Sequence, residues 1–556
     1  MNSKKNWSKI LLVLGVLIGV VGVSYAFWRA SFSSKNDNSL TATCFNVSFT
    51  DQNNISIEKA YPLLDKDGKK LTPYEFTITN NCDTYVKYDI NLEVLNTSTL
   101  TNMDYIKLML DDGTPALVSS YNVTTKTLSN ASSAYKISTG YLNAKESKTY
   151  NLRLWLDENM TGETEGVQNN TFTSKITVNA SYVEELPTAS EYITPLATVD
   201  TTNLATDDYS NTRYIGANPN NYIWFDEQVY QYDTYSLMYG GDYYGLAENT
   251  TLEECQNAIT DQGLDGDGKA ECKKEHSKGD KILWQIIGVM KGIDDGTGNK
   301  EDRVKLIRAS SIGSYSWDTS ESSINSGYGV NEWSQADVMK LLNPGYESES
   351  VGGSLYWNNQ SGTCYNISKN GTTSCNFTST GIKDKLKILI SDAVWNTGAS
   401  TTSNQIASKF YTEERGTRNG KKCLSGTSCN DTVERTMTWT GKVGLMYLSD
   451  YGYATSGGDT TDRTTCLNTS LRSWDDSSLS DCKNNDWLFN SSYQWTLSPN
   501  ATRSNADFAL YVDSGGNVGF NIASNSYAVR PVVYLTSNVK ISSGSGSESD
   551  PFELSL

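Results

Sequence analysis

Val86-Lys-Tyr88-Asp-Ile90-Asn-Leu92-Glu-Val94 alternates apolar and polar residues without a break. Successive side chains on an extended strand point to opposite faces, so this stretch reads as a strand with one face in a core and one in water. Tyr150-Asn-Leu152-Arg-Leu154-Trp-Leu156 and Ile176-Thr-Val178-Asn-Ala180-Ser-Tyr182 repeat the pattern. Shorter candidates lie at 41–49, 74–79 and 105–110, separated by Asn, Asp and Gly turns. About seven such strands predict two antiparallel sheets packed as a β-sandwich, assigned here to residues 29–185.

Toward the N-terminus, Lys4, Lys5 and Lys9 precede an apolar run over 10–23, followed by Ser24-Tyr-Ala26-Phe27. A basic flank, a short apolar stretch and small residues ahead of Phe27 read as an export signal cleaved after Ala26. The run 10–28 is also long enough to remain as a transmembrane helix. Residues 1–28 are therefore assigned as a signal peptide or an N-terminal membrane anchor. The lysines before the run send the rest of the chain outside the cell under both readings.

Beyond the sandwich, residues 186–205 are rich in Thr, Ala and Pro and show no strong periodicity, which predicts a linker. Residues 206–556 mix strand and helix signals and are assigned as an α+β domain. A helix is expected over 382–396, where Ile382, Leu386, Leu389, Ile390, Ala393 and Val394 share one helical face. A second is expected over 336–342, opened by a Ser334-x-x-Asp337 capping box and stopped by Pro344. Strands are expected at 283–290, 304–307, 436–447, 508–512 and 532–535. The fold class is thus multidomain: an N-terminal signal or transmembrane helix, a sandwich and an α+β head.

Composition narrows the function. Across 556 residues, Lys and Arg number 46 against 64 Asp and Glu, a formal net charge of −18. Such a chain repels a phosphate backbone, and no basic patch offsets this, so no nucleic-acid partner is expected. His276 is the single histidine. Multi-histidine metal sites are excluded, and a Ser-His or Cys-His enzyme would have to use His276 itself. His276 sits in a charged run without a nucleophile motif and is read as a surface imidazole. Ten cysteines without a Cys-x-x-Cys fit an exported, oxidised protein. Consecutive pairing is expected: Cys44–Cys82, Cys255–Cys272, Cys364–Cys375, Cys423–Cys429 and Cys466–Cys482.

Two resemblances follow. Thr77-Ile-Thr-Asn-Asn-Cys-Asp-Thr-Tyr-Val-Lys-Tyr-Asp-Ile-Asn-Leu92, with Leu152-Arg-Leu-Trp-Leu-Asp157 and the Tyr25-Ala-Phe27 end of the apolar run, resembles the camelysin and biofilm matrix-fibre (TasA-type) family of Gram-positive bacteria. That resemblance implies an exported β-sandwich, in some members a fibre subunit. Trp495-Thr-Leu-Ser-Pro499, Tyr511-Val-Asp-Ser-Gly-Gly-Asn-Val518 and Val529-Arg-Pro-Val-Val-Tyr-Leu535 resemble the end of the C-type-lectin-like fold. The branch is that of bacterial major-paralogous and formylglycine-generating-type domains. It implies a binding head over about 206–540 and a scaffold role for Trp495, Pro499, Arg530 and Pro531. Arg530 is expected to satisfy buried carbonyls. The glycan-binding calcium motifs Glu-Pro-Asn, Gln-Pro-Asp and Trp-Asn-Asp are absent, and no cysteine follows Cys482 to bind copper as in the formylglycine-generating enzymes.

Candidate sites are few. Residues 228–281 interrupt the family pattern between Phe225 and Leu283 and carry Tyr230, Tyr232, Tyr235 and Tyr239, followed by a Thr251-x-x-Glu254 capping box. These tyrosines serve either as a recognition loop or as packing within a hairpin. Asn505, Asn517, Asn521, Asn525 and Tyr527 form a second candidate surface, the alternative being a solvated hairpin series. Asp261, Asp265, Asp267 and Glu271 are a weak calcium candidate, since Gly263 and Cys272 break the EF-hand pattern. No catalytic residue and no other cofactor is assigned. The expected function is cell-surface or secreted binding, an adhesin with an extracellular protein or glycan ligand. A matrix-fibre subunit is the alternative, and a formylglycine-generating-type enzyme ranks below both. The membrane is a partner only if the N-terminal segment is retained.

Overall fold

The computed structural model describes residues 44–556 except 50–54, 58–60, 112–114, 161–169, 184, 199, 240–241, 244–249, 265, 321–326, 367–369, 401–403, 417–435 and 502–504. The signal or anchor expected at 1–28 lies outside these residues. Among the described residues no helix is long and apolar enough to cross a membrane. The chain is mostly strand and divides into two compact units, one reaching Leu186 with 198–202, the other holding 187–197 and 203–556.

The first unit is a sandwich of two five-stranded antiparallel sheets. One runs Phe45–Phe49, Tyr74–Asn80, Ser147–Leu156, Ile106–Leu110, Ala116–Leu117. The other runs Ile55–Ile57, Phe172–Val183, Tyr85–Leu95, Ala131–Leu142, Asn122–Val123. Their inner faces share one core, with Ile78, Ile90, Leu92, Ile106, Leu108 and Phe172 all closed to solvent. Val86, Tyr88, Ile90, Leu92 and Val94 point into it as the alternation predicts. The polar face departs from expectation at its far end, where Asn91 and Glu93 are buried too. Glu93 accepts hydrogen bonds from the Thr127 amide at 2.7 Å, the Leu128 amide at 2.8 Å and the Thr177 hydroxyl at 2.9 Å. A loop clamped on that carboxylate covers the outer face.

Residues 186–205, expected as a linker, contain the helix Ala189–Leu196. Thr188 and Glu191 close a capping box at its start, and Ala189 and Ile193 enter the core of the second unit. The Thr188-x-x-Glu191 signal was present in the sequence and stood ahead of a short apolar stripe.

The second unit centres on a seven-stranded sheet in the order Leu204–Thr206, Thr212–Tyr214, Lys281–Asp294, Lys300–Arg308, Val532–Tyr534, Val443–Gly444, with Tyr222–Val229 also paired to Lys281–Asp294. Ile223 faces Trp284 in that pairing, so the intervening residues leave and rejoin two neighbouring strands. Gly288 is needed where Lys281–Asp294 meets Thr212–Tyr214, because a Cβ would lie 2.1 Å from the Thr212 carbonyl oxygen. A five-stranded sheet stands apart: Ser314–Ser316, Ser526–Ala528, Gln494–Asn500, Phe508–Val512, Val518–Ile522.

The helix expected over 382–396 is not formed as such. One turn, Asp384–Lys387, is helical, and Ala393–Asn396 is a strand paired with Thr438–Gly441. Ile382, Leu386, Leu389, Ile390 and Ala393 are buried as the pattern requires. Two elements bury them, because the Ser391 amide bonds the Tyr534 carbonyl at 2.8 Å and draws the chain into extended structure. The expected strand 436–447 is split into Thr438–Gly441 and Val443–Gly444 before a helix begins at Leu448. The other helix forms as Asp337–Leu342, without the expected box. Ser334 donates instead to Glu332, and Asp337 accepts from the Thr319 amide and hydroxyl.

Four of the expected disulfides are present: Cys44–Cys82, Cys255–Cys272, Cys364–Cys375 and Cys466–Cys482. Cys423 and Cys429 lie outside the described residues. Four bridges fit an oxidising compartment.

Charges are buried at the centre of the second unit. Arg213 bonds Asp207 at 2.5 Å and Asp450 at 2.9 Å, and Lys305 meets the other Asp450 oxygen at 2.5 Å. The Lys305 ammonium also lies 4.2 Å from the Tyr447 ring centre, 5.4 Å from Tyr534 and 5.6 Å from Trp395. Burial lifts a carboxyl, yet Lys305 and Arg213 hold Asp450 down at about 2. Burial pushes Lys305 down to about 8, so the pair is ionised at neutral pH. This node ties the strand Lys300–Arg308 to the helix Leu448–Tyr453.

Candidate functional site

The five-stranded sheet of the second unit carries an aromatic face. Tyr511 on Phe508–Val512 and Tyr527 on Ser526–Ala528 lie 4.9 Å apart between ring centres. Tyr493, just before Gln494–Asn500, is 5.2 Å from Tyr527 and 5.7 Å from Tyr511. Trp495 backs Tyr511 and Tyr527, 6.2 and 4.5 Å away, with its indole N–H held by the Tyr315 carbonyl at 3.0 Å. Tyr493 is 42 % exposed while Tyr511 and Tyr527 are half-buried, so the group is open on one side.

Several contacts fix these rings in advance of any partner. Tyr511 pairs across the hairpin with Gly519, and a Cβ at that glycine would lie 2.7 Å from the phenol oxygen. Only glycine lets the ring lie over the neighbouring strand. Asn521 donates its amide to the Tyr527 hydroxyl at 2.6 Å. Burial raises the phenols of Tyr511 and Tyr527, which keeps both neutral and able to donate or accept hydrogen bonds. Asn525 also hydrogen-bonds Tyr527. The arrangement offers flat apolar rings edged by hydroxyls and side-chain amides, the chemistry that stacks on a sugar ring or a planar peptide group.

Of the second candidate surface named from sequence, Asn521, Asn525 and Tyr527 come together here. Asn517 does not: its side-chain oxygen accepts the Asp475 amide at 3.0 Å and braces the hairpin. Asn505 is half-buried in the turn before Phe508–Val512. Tyr493 and Tyr511 were missed. The signal for them was Tyr511 placed opposite Gly519 across a Ser-Gly-Gly turn, a pairing that needs the register to be seen.

The residues 228–281 build a small sheet of Asp242–Tyr243, Thr234–Tyr239 and Ala270–His276, beside the helix Leu252–Asp261. The Thr251 and Glu254 capping box forms as expected. The tyrosines there are not one surface. Tyr230 is 1 % exposed, which corrects its place among the contact residues. Its hydroxyl meets Ser310 at 3.0 Å, and its ring stacks on His276 at 4.0 Å. Tyr239 donates to Asp267 at 2.6 Å. Tyr235 lies on the central strand of this small sheet and Tyr232 just before it, and both are half-buried.

His276 is likewise not a plain surface imidazole. Burial, with the Arg308 guanidinium nearby, pushes it down to about 4, so it is neutral at physiological pH. Of the calcium candidates, Asp267 is engaged by Tyr239 and the Lys269 amide, Asp261 and Glu271 are exposed, and Asp265 lies outside the described residues. Among the described residues no three His, Cys, Asp or Glu side chains are grouped to hold a metal ion.

No family model matches the chain. No curated protein matches it. Among solved structures, one described as "AvmM Catalyzes Macrocyclization in Alchivemycin A Biosynthesis" aligns at 13 % identity and a TM-score of 0.12, over 25 % of this chain and 92 % of that one. A two-domain esterase (CEX) active on acetylated mannans aligns at 11 % identity and a TM-score of 0.12, over 28 % of this chain and 42 % of that one. Likeness at that level carries no argument about fold or activity.

Proposed function

We propose that this chain is an exported bacterial surface protein that binds an extracellular glycan or protein through its second unit. The sandwich serves as the stalk. The observation that carries this reading is the open tyrosine face of Tyr493, Tyr511 and Tyr527, braced by Trp495 and edged by Asn521. Rigid aromatic rings with polar tips lose little entropy on contact, and for that reason they dominate recognition surfaces. Support also comes from the disulfides, which suit an extracellular setting. The C-type-lectin-like resemblance of 495–535 suits such a surface, since that resemblance implies a binding head. The camelysin-type resemblance of the first unit suits a stalk on the cell surface.

The test is a glycan and host-protein array probed with the full chain and with Tyr511→Ala. A ligand retained by the native chain and weakened about tenfold or more by the variant supports the reading. A clean negative across a broad array, with filaments seen by electron microscopy, replaces it with the fibre-subunit alternative.

A further inference from the structure

A cavity of about 660 Å³ opens elsewhere in the second unit and shares no residue with the tyrosine face. Arg530 lines it, together with His276, Gln285, Ser310 and Asn490. The Arg530 side chain is 2 % exposed. Its Nε donates to the Arg308 carbonyl at 2.8 Å, as the scaffold role predicts. The two terminal nitrogens are held more weakly, by the Leu488 carbonyl at 3.3 Å and by Gln494 and Gln285 side-chain oxygens at 3.4 Å.

All of these acceptors are neutral. Among the described residues Arg530 has no ion pair, whereas Arg213 has two and Lys305 one. Asp486 attracts Arg530, but burial pushes that carboxyl well up, toward its neutral form. A buried guanidinium without a carboxylate is costly, and a cavity beside it gives an anion room to supply one. Two carboxylates, Asp280 and Glu548, and a second cation, Lys281, also line the cavity. The lining therefore carries no net formal charge, which suits a ligand with one negative end and hydroxyl groups elsewhere better than a dianion.

We propose that this cavity binds a small monocarboxylate of the sugar-acid class, with the carboxylate directed at the Arg530 fork and hydroxyl groups meeting Ser310, Asn490 and Gln285. The guanidinium fork grips a carboxylate bidentately, and a lining without net formal charge favours that single charge over a phosphate dianion. The site stands or falls separately from the tyrosine face.

His276 reports on it directly. It is the single histidine, so one imidazole resonance follows the cavity. The full chain is titrated with D-galacturonate, D-galactose and inorganic phosphate while the His276 proton signal is followed by NMR. Galacturonate is expected to shift the signal saturably and to raise the imidazole pKa, as a nearby anion must. Galactose, the same ring without the charge, is expected to bind at least about tenfold more weakly. Arg530→Lys is expected to weaken galacturonate by a similar factor. Should that variant fail to fold, Asn490→Asp tests the same point by adding a negative charge to the wall. Equal response to galactose and galacturonate, no saturable response to galacturonate, or tighter binding of phosphate each overturns the proposal.

Discussion

The two units bury different chemistry. The sandwich core packs aliphatic side chains around Phe76, Tyr88, Tyr150 and Phe172, and its buried Glu93 is satisfied by neutral donors, two amides and the Thr177 hydroxyl. The second unit encloses Trp284, Trp317, Trp333, Trp395, Trp474 and Trp495 together with the ionised trio Arg213, Lys305 and Asp450. A regular sheet places core residues by period alone, so ordinary apolar side chains suffice. An assembly of short strands and irregular segments lacks that regularity. Large indoles and ion pairs that reach across several elements hold it in place.

The sharpest way to break this contrast is Asp450→Asn. It leaves Arg213 with one partner and Lys305 with none but the surrounding rings, a loss on the order of 3–5 kcal/mol. Calorimetry of the full chain should show the transition of the second unit moving down while that of the sandwich stays in place. A shift of both transitions, or of neither, contradicts a self-contained ionic centre.

Replacing Cys255 and Cys272 together by Ser tests a staple outside the core. The bridge closes a separation of 17 residues, which is worth about 3 kcal/mol by loop closure. Because it joins the helix Leu252–Asp261 to the strand Ala270–His276, the loss should be local. Limited proteolysis is expected to cut within 240–280 before elsewhere in the second unit. Glu93→Gln is the matching test in the sandwich. The amide keeps one acceptor oxygen and sets an N–H₂ against donors, for a loss of about 1–3 kcal/mol confined to the sandwich transition.

The sandwich was legible because period two maps straight onto facing side chains, and Val86 to Val94 point inward as read. What the alternation could not foretell was Glu93, whose burial depends on Thr127 and Leu128 arriving from 34 and 35 residues away. In the second unit, apolar spacing over 382–394 forecast the burial of Ile382, Leu386, Leu389, Ile390 and Ala393, with Val394 half-buried, but forecast structure wrongly, since a turn and a strand can bury the same positions as a helix. The four described disulfides follow the consecutive pairing expected of cysteines within single turn-rich segments. Of the tyrosine face only Tyr527 was named, since Tyr493 and Tyr511 join it through a strand register that only the fold defines.

The smallest expected effects are the pH responses of two buried groups, and they run in opposite directions. Burial, reinforced by Asp337, pushes Asp318 up to about 7, so its neutral form is favoured in the fold. Its contribution is complete below the unfolded value near 3.8 and is lost as the pH rises through about 7. His276, pushed down to about 4 from 6.5, is favoured neutral, so its contribution is complete above 6.5 and is lost as the pH falls toward 4. Asp318→Asn should therefore gain on the native chain as the pH rises from 4 to 7. His276→Phe keeps the stack on Tyr230 and should gain as the pH falls over much the same range. Thermal melts across that range resolve the two slopes. Both variants belong to the second unit, so any pH-dependent change they cause in the sandwich transition would break the separation between the two cores.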